Sequence, residues 1–229
     1  MNGEFSDIHQ AKYELMALGL PTDLAMDFGA TFRPQFIKYC ADNGAEHTVA
    51  IDAHEAEVHE MELGEGTDFH KADFGRDSIV PWAKKYRDEH PGQCLGISFD
   101  TLLHQYDPLH VLRNLLGVLD RVCIGTPVLK NAYDSPLFLP AVPPGEQENL
   151  FPVSWLEREL ETPEPFRFAP LDSYSWAHWL WGLSDHLLRI WVEREGFRIQ
   201  EERSVDRPNA WKWWGCYATK GDGDAGRTV

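Results

Sequence analysis

Three acids in the sequence each close a short run that reads as a strand. Asp27 follows Leu24-Ala25-Met26, Asp52 follows Val49-Ala50-Ile51, and Asp73, with Phe74 beside it, follows Phe69-His70-Lys71-Ala72. A fourth run, Cys94-Leu95-Gly96-Ile97-Ser98-Phe99, ends on a hydroxyl and a ring. A carboxylate at a strand tip can accept hydrogen bonds from two ribose hydroxyls. A glycine nearby, Gly29 in Asp27-Phe28-Gly29-Ala30, lets the backbone approach a ligand closely. If the runs are successive parallel strands, all these groups converge on one sheet edge, a place suited to a nucleotide-like ligand.

Other residues could supply chemistry beside that edge. His104 lies just past the fourth run, with Tyr106 next to it. With an unperturbed pKa of about 6.5, His104 suits a general base; equally, it suits a histidine packed beside the loop. Tyr174, Trp176, Trp179 and Trp181 form an aromatic belt, of which Tyr174, Trp176 and Trp179 could line an apolar substrate pocket. His54 and His59 stand five apart, and on a helix that spacing rotates the second ring off the first one's face, so no metal site is expected.

These groups need a scaffold, and the apolar pattern supplies one. Strands are expected over 24–26, 47–51, 67–74, 94–99, 121–128, 197–205 and 211–219. Helices are expected over 6–20, 34–42, 53–66, 78–90, 109–119 and 185–195. Two of them carry start signals: Asp107-Pro108 sets an N-cap and an N1 proline, and Ser184 caps the last helix, which Gly196 ends. Strands alternating with helices predict an α/β fold: a doubly wound, mostly parallel seven-stranded sheet with an antiparallel last strand and helices on both faces. Residues 1–220 read as a single domain. Residues 130–172 hold eight of the 15 prolines and read as an insertion near the substrate side, and residues 221–229 as a disordered tail. Residues 1–20 form either a cap over the site or a plain packing helix.

The chain has 229 residues, 43% of them apolar, enough for one large core. Its net charge of −16 argues against extended contact with a nucleic-acid backbone or an anionic membrane surface. No apolar run approaches the ~18 residues needed to span a bilayer. The first residues include Glu4 and lack a basic-then-apolar pattern, so a cytoplasmic location is expected. Cys40, Cys94, Cys123 and Cys216 are widely spaced and read as reduced structural thiols.

In the order and spacing of these pieces, residues 20–219 resemble the class I S-adenosylmethionine-dependent methyltransferases. The family's glycine-rich first motif corresponds to Asp27-Phe28-Gly29-Ala30-Thr31-Phe32-Arg33, its ribose-binding acid to Asp52, and its adenine-side acid to Asp73. The segment from Leu102 to Leu112, containing His104 and Asp107-Pro108, and the ending with Glu195-Gly196-Phe197 are similar too.

The resemblance implies S-adenosylmethionine as cofactor, held by Asp27, Gly29, Ala30, Arg33, Asp52, Asp73, Phe74, Ser98 and Phe99. Asp27 would fix the turn or meet the cofactor's ammonium, Arg33 would pair with its carboxylate, and Phe74 or Phe99 would pack on the adenine. It implies His104 as the base and Tyr106, Tyr174, Trp176 and Trp179 around a small-molecule acceptor. Thr31 and Arg33 stand where the family has its second and third glycines. That departure supports a second expectation, a methyltransferase-like binding or assembly protein that has lost cofactor binding. An NAD-dependent enzyme is disfavoured, because no G-x-G-x-x-G follows the first strand. The acceptor, the atom methylated and the oligomeric state, a homodimer included, stay open.

Overall fold

Strongly apolar segments dominate the middle of the sheet, as strands buried on both faces require. The computed structural model describes residues 3–30, 35–52, 63, 66–73, 79–105, 107–130, 137–138, 181–206 and 211–221. Helix α1 (Gly3–Gly19) leads into β1 (Thr22–Phe28), followed by α2 (Gln35–Asp42), β2 (Ala45–Asp52) and β3 (Thr67–Lys71). Then come α3 (Ile79–Glu89), β4 (Cys94–Phe99), one 3₁₀ turn (Leu102–His104), α4 (Pro108–Leu116) and β5 (Arg121–Leu129). A two-residue ribbon, β6 (Leu137–Phe138) with β7 (Trp181–Gly182), precedes α5 (Asp185–Arg194), β8 (Phe197–Asp206) and β9 (Trp211–Lys220).

The seven-stranded sheet has the order β3-β2-β1-β4-β5-β9-β8. Strands β1 to β5 are parallel, and β9 runs antiparallel to both of its neighbours. This is the expected architecture. From β1 the chain winds outward to β2 and β3, then returns to the other side of β1 for β4. The order therefore reverses between β1 and β4, and an open α/β sheet gathers ligands at such a switch point.

Two apolar layers cover the sheet. One packs Leu24, Met26, Phe28, Val49, Ile51, Val122 and Ile124 against α3, α4 and α5. The other packs Ala25, Ala50, Leu95, Ile97, Phe99 and Cys123 against α1 and α2. The alternation between the layers is the two-residue period of the strands. The free edge at β8 is guarded by Arg198, Glu201, Glu202 and Arg203 and by a register shift between Ile199 and Glu201, both of which oppose edge-to-edge pairing.

Several boundaries differ from expectation. Strand β3 stops at Lys71, so Asp73 lies two residues beyond it. Its neighbour β2 ends at Asp52, whose carbonyl takes the Ala72 amide (2.8 Å). Helix α4 ends at Leu116, capped by Gly117, three residues sooner than its apolar pattern suggested. Its start is as expected: the Asp107 carboxylate accepts the His110 amide at 2.9 Å. Ser184 accepts the Leu187 amide at 3.1 Å, and Gly196 has φ 84° after the Glu195 C-cap. All but residues 63 and 66 of the helix expected over 53–66, all but a few residues of the 130–172 insertion and the tail beyond Gly221 lie outside the described residues. None of the described helices is long and apolar enough to cross a membrane.

Candidate functional site at the carboxyl edge

Strand register brings the expected groups together. Asp27 pairs with Ala50 on one side and Ile97 on the other. One pleat further along, Asp52 pairs with Lys71, Phe99 with Gly125, and Gly125 with Gly215. Gly29 joins this outer row, its amide donating to the Ile51 carbonyl at 2.9 Å. At φ 90° Gly29 turns the chain sharply off β1, a conformation that any side chain would strain. Ala30, buried at 1% exposure, tucks under the same turn, its amide 3.4 Å from the Ile51 carbonyl.

Asp27 and Asp52 are both buried, at 3% and 6% exposure. Asp27 stands on the α2 side, close enough that its charge adds to the effect of burial in raising the Cys40 thiol above its ordinary pKa. Asp73 is half-buried, beyond the tip of β3. Ser98 is fully buried, and its hydroxyl shares a hydrogen bond of 2.6 Å with Thr101. Phe99 is turned into the α1–α2 layer, edge-on to Phe36 with ring centroids 5.3 Å apart. Thr31, Arg33, Phe74, Tyr106, Tyr174, Trp176 and Trp179 lie outside the described residues, as does the side chain of His104. All four cysteines are buried free thiols; burial pushes Cys94 up to about 12 and raises the other three as well.

A further cluster at this edge joins residues far apart in the sequence. Asp100, the residue after β4, has φ 60°, the left-handed conformation uncommon for a side chain other than glycine. Its amide donates to the Gly125 carbonyl at 2.7 Å. Its carboxylate accepts from Lys12 of α1 at 2.5 Å and from the Trp213 indole of β9 at 3.0 Å. Lys12 is 1% exposed, and its ammonium stands 5.4, 5.5 and 5.6 Å from the ring centres of Phe36, Phe99 and Trp213. The Trp213 ring lies over Gly125 and Gly215, and a Cβ on either glycine would collide with it. The sequence did hold a signal: Lys12 shares the apolar stripe of Ile8, Ala11, Leu15 and Met16, where an unpaired lysine would be costly.

The strand order and helical layers define the fold of the class I S-adenosylmethionine-dependent methyltransferases. Solved structures bear this out. The Burkholderia thailandensis 1,6-didemethyltoxoflavin-N1-methyltransferase, determined with 1,6-didemethyltoxoflavin and S-adenosylhomocysteine, superposes with a TM-score of 0.56 at 17% identity, over 94% of this chain and 78% of its own. The magnesium protoporphyrin IX methyltransferase of Synechocystis PCC 6803, with bound S-adenosylhomocysteine, gives 0.56 at 14% identity, over 94% and 83%. The (4+2)-cyclase SpnF gives 0.53 at 14% identity, over 87% and 76%. No family model matches the sequence, and no curated protein matches it by sequence.

The residues present fit the cofactor that the fold suggests. An adenosyl group needs an acid at a strand tip for its ribose and a side-chain-free turn beside it. Asp52 and Gly29, side by side at the ends of β2 and β1, are residues of those two kinds.

Proposed function

We propose that the protein transfers a methyl group from S-adenosylmethionine to a small-molecule acceptor. The observation that carries the reading is the buried Asp52 at the tip of β2 beside Gly29, whose φ of 90° opens the tip of β1, next to the switch point of this fold. The bound S-adenosylhomocysteine of the Burkholderia and Synechocystis structures supports the choice of cofactor.

In this reading Asp52 accepts from the two ribose hydroxyls, and the glycine turn gives the methionine end a close backbone wall. Asp27, buried under that turn, fixes it. Asp73, with Phe74, takes the adenine side, where the carboxylate accepts from the amino group. Ser98 holds the end of β4 through Thr101. Arg33 pairs with the methionine carboxylate. The sulfonium supplies an already activated methyl group, so what the chain contributes is mainly position. His104 takes the acceptor's proton where one must leave. Tyr106, Tyr174, Trp176 and Trp179 wall an apolar acceptor, which the chain's net charge of −16 favours over a polyanion. Location in the cytoplasm belongs to the same proposal.

The cyclase SpnF shows that this fold also carries a reaction other than methyl transfer. A second reading therefore stands beside the first: a methyltransferase-like protein without transfer activity, acting by binding or assembly, as Thr31 and Arg33 in the turn would favour. Calorimetric titration tests the first reading. S-adenosylhomocysteine should bind with micromolar affinity, on the order of −8 kcal/mol, while NAD gives no heat. Asp52→Asn should weaken binding by about 1.5–3 kcal/mol, the worth of hydrogen bonds to a charged acceptor. No heat with S-adenosylhomocysteine would sink the proposal and leave the second reading.

A further inference from the structure

The turn after β4 stands on one side of the β1–β4 switch point, and the Gly29 turn after β1 stands on the other. Four ties hold the β4 turn. The Ser98 and Thr101 hydroxyls bridge it, the Asp100 amide is fixed to Gly125, and the two carboxylate oxygens of Asp100 take Trp213 and Lys12 separately. Three of these ties come from the sheet or the turn itself. The fourth comes from α1, 88 residues away in sequence, and it is an ion pair inside a box of three aromatic rings.

Helix packing alone does not require that arrangement. Helix α1 already buries Leu15 and Met16 completely. A methionine at position 12 would fill the same ring box with no charge to compensate, whereas a buried lysine must find a partner. Asp100, for its part, sits in a backbone region that non-glycine residues occupy when their surroundings hold them there, a condition that gathers at functional sites. With both oxygens taken by protein donors, its carboxylate is poorly placed to remove a proton from an acceptor.

We propose that Lys12 is a positioning residue for the carboxyl-edge site: through Asp100 it holds the β4 turn in its left-handed form, so that docking of α1 and ligand binding at the switch point are coupled. Helix α1 is then a working wall of the site and not packing alone. The inference rests on the reading that an adenosyl ligand binds at the switch point, and it deepens that reading by naming a group that no strand tip supplies.

The experiment compares the wild type with Lys12→Met, Asp100→Asn, the double variant and Leu15→Ala. Leu15→Ala loosens α1 and leaves the Lys12–Asp100 ion pair in place. Two readouts are taken on folded protein, well below each variant's melting temperature: affinity for S-adenosylhomocysteine, and amide hydrogen exchange over residues 98–101. Lys12→Met and Asp100→Asn should each weaken the affinity about tenfold or more, since small displacements of a positioned site are costly. The double variant should be no worse than the singles, as expected for two residues acting as a unit. Exchange at the turn should rise in those variants and not in Leu15→Ala. Affinity within a factor of about two of wild type in Lys12→Met, with turn exchange matching Leu15→Ala, overturns the inference. If the wild type itself fails to bind S-adenosylhomocysteine, the functional reading falls. Hydrogen exchange and the double variant's melting temperature then decide the positioning claim on their own.

Discussion

At the scale of single residues, burial has different consequences for acids, thiols and rings. His70 on β3 stacks on Trp82 of α3, ring centroids 3.7 Å apart and planes within 3°. Burial lowers its pKa below the ordinary 6.5. The unfolded chain therefore binds the proton more readily than the folded one. The stability tied to His70 is fully present above about pH 6.5 and is lost as pH falls through the lower, folded value. Urea unfolding of the wild type should weaken between about pH 7 and pH 5. His70→Phe keeps a ring against Trp82 and removes the titration, so it should show a shallower decline. Parallel pH profiles for the two proteins would contradict this account.

Within the elements, the fit of β5 and β9 under α1 is set by what two glycines leave out. Gly125 and Gly215 are paired across the strands, and the Trp213 ring occupies the space their side chains would fill. Gly125→Ala should push the indole aside and cost about 1–3 kcal/mol, the usual range for overpacking. A drop in the urea midpoint with unchanged slope checks it; an unchanged midpoint would mean that the ring has room to move. The same elements show what the sequence could and could not reveal. The apolar run ending on Asp52 was legible because both the burial and the break of pattern are local, whereas β1 continues past Asp27 to Phe28. The caps at Asp107 and Ser184 were legible for the same reason. The end of β3 was not, because it depends on where its neighbour β2 stops. Nor was the Lys12–Asp100–Trp213 cluster, whose members stand 88 and 113 residues apart in sequence and meet only through the sheet. Phe99 was legible as a residue at the edge but not in its direction, which the alternation of β4 settles toward α1 and α2.

On the scale of the whole molecule, one sheet of order β3-β2-β1-β4-β5-β9-β8 reverses between β1 and β4, the switch point at which such sheets take their ligands. Gly29 stands on one side, the Asp100 turn on the other, and Asp52 stands at the β2 tip behind Gly29. In the proposed function an adenosyl ligand is held at this switch point by its ribose. A crystal structure of the protein soaked with S-adenosylhomocysteine tests it most directly. The account predicts the ribose hydroxyls within hydrogen-bonding distance, about 2.6–3.0 Å, of the Asp52 carboxylate, with the homocysteine end against the Gly29 turn. Density for the ligand elsewhere on the molecule, or ribose hydroxyls held by groups other than Asp52, would contradict it.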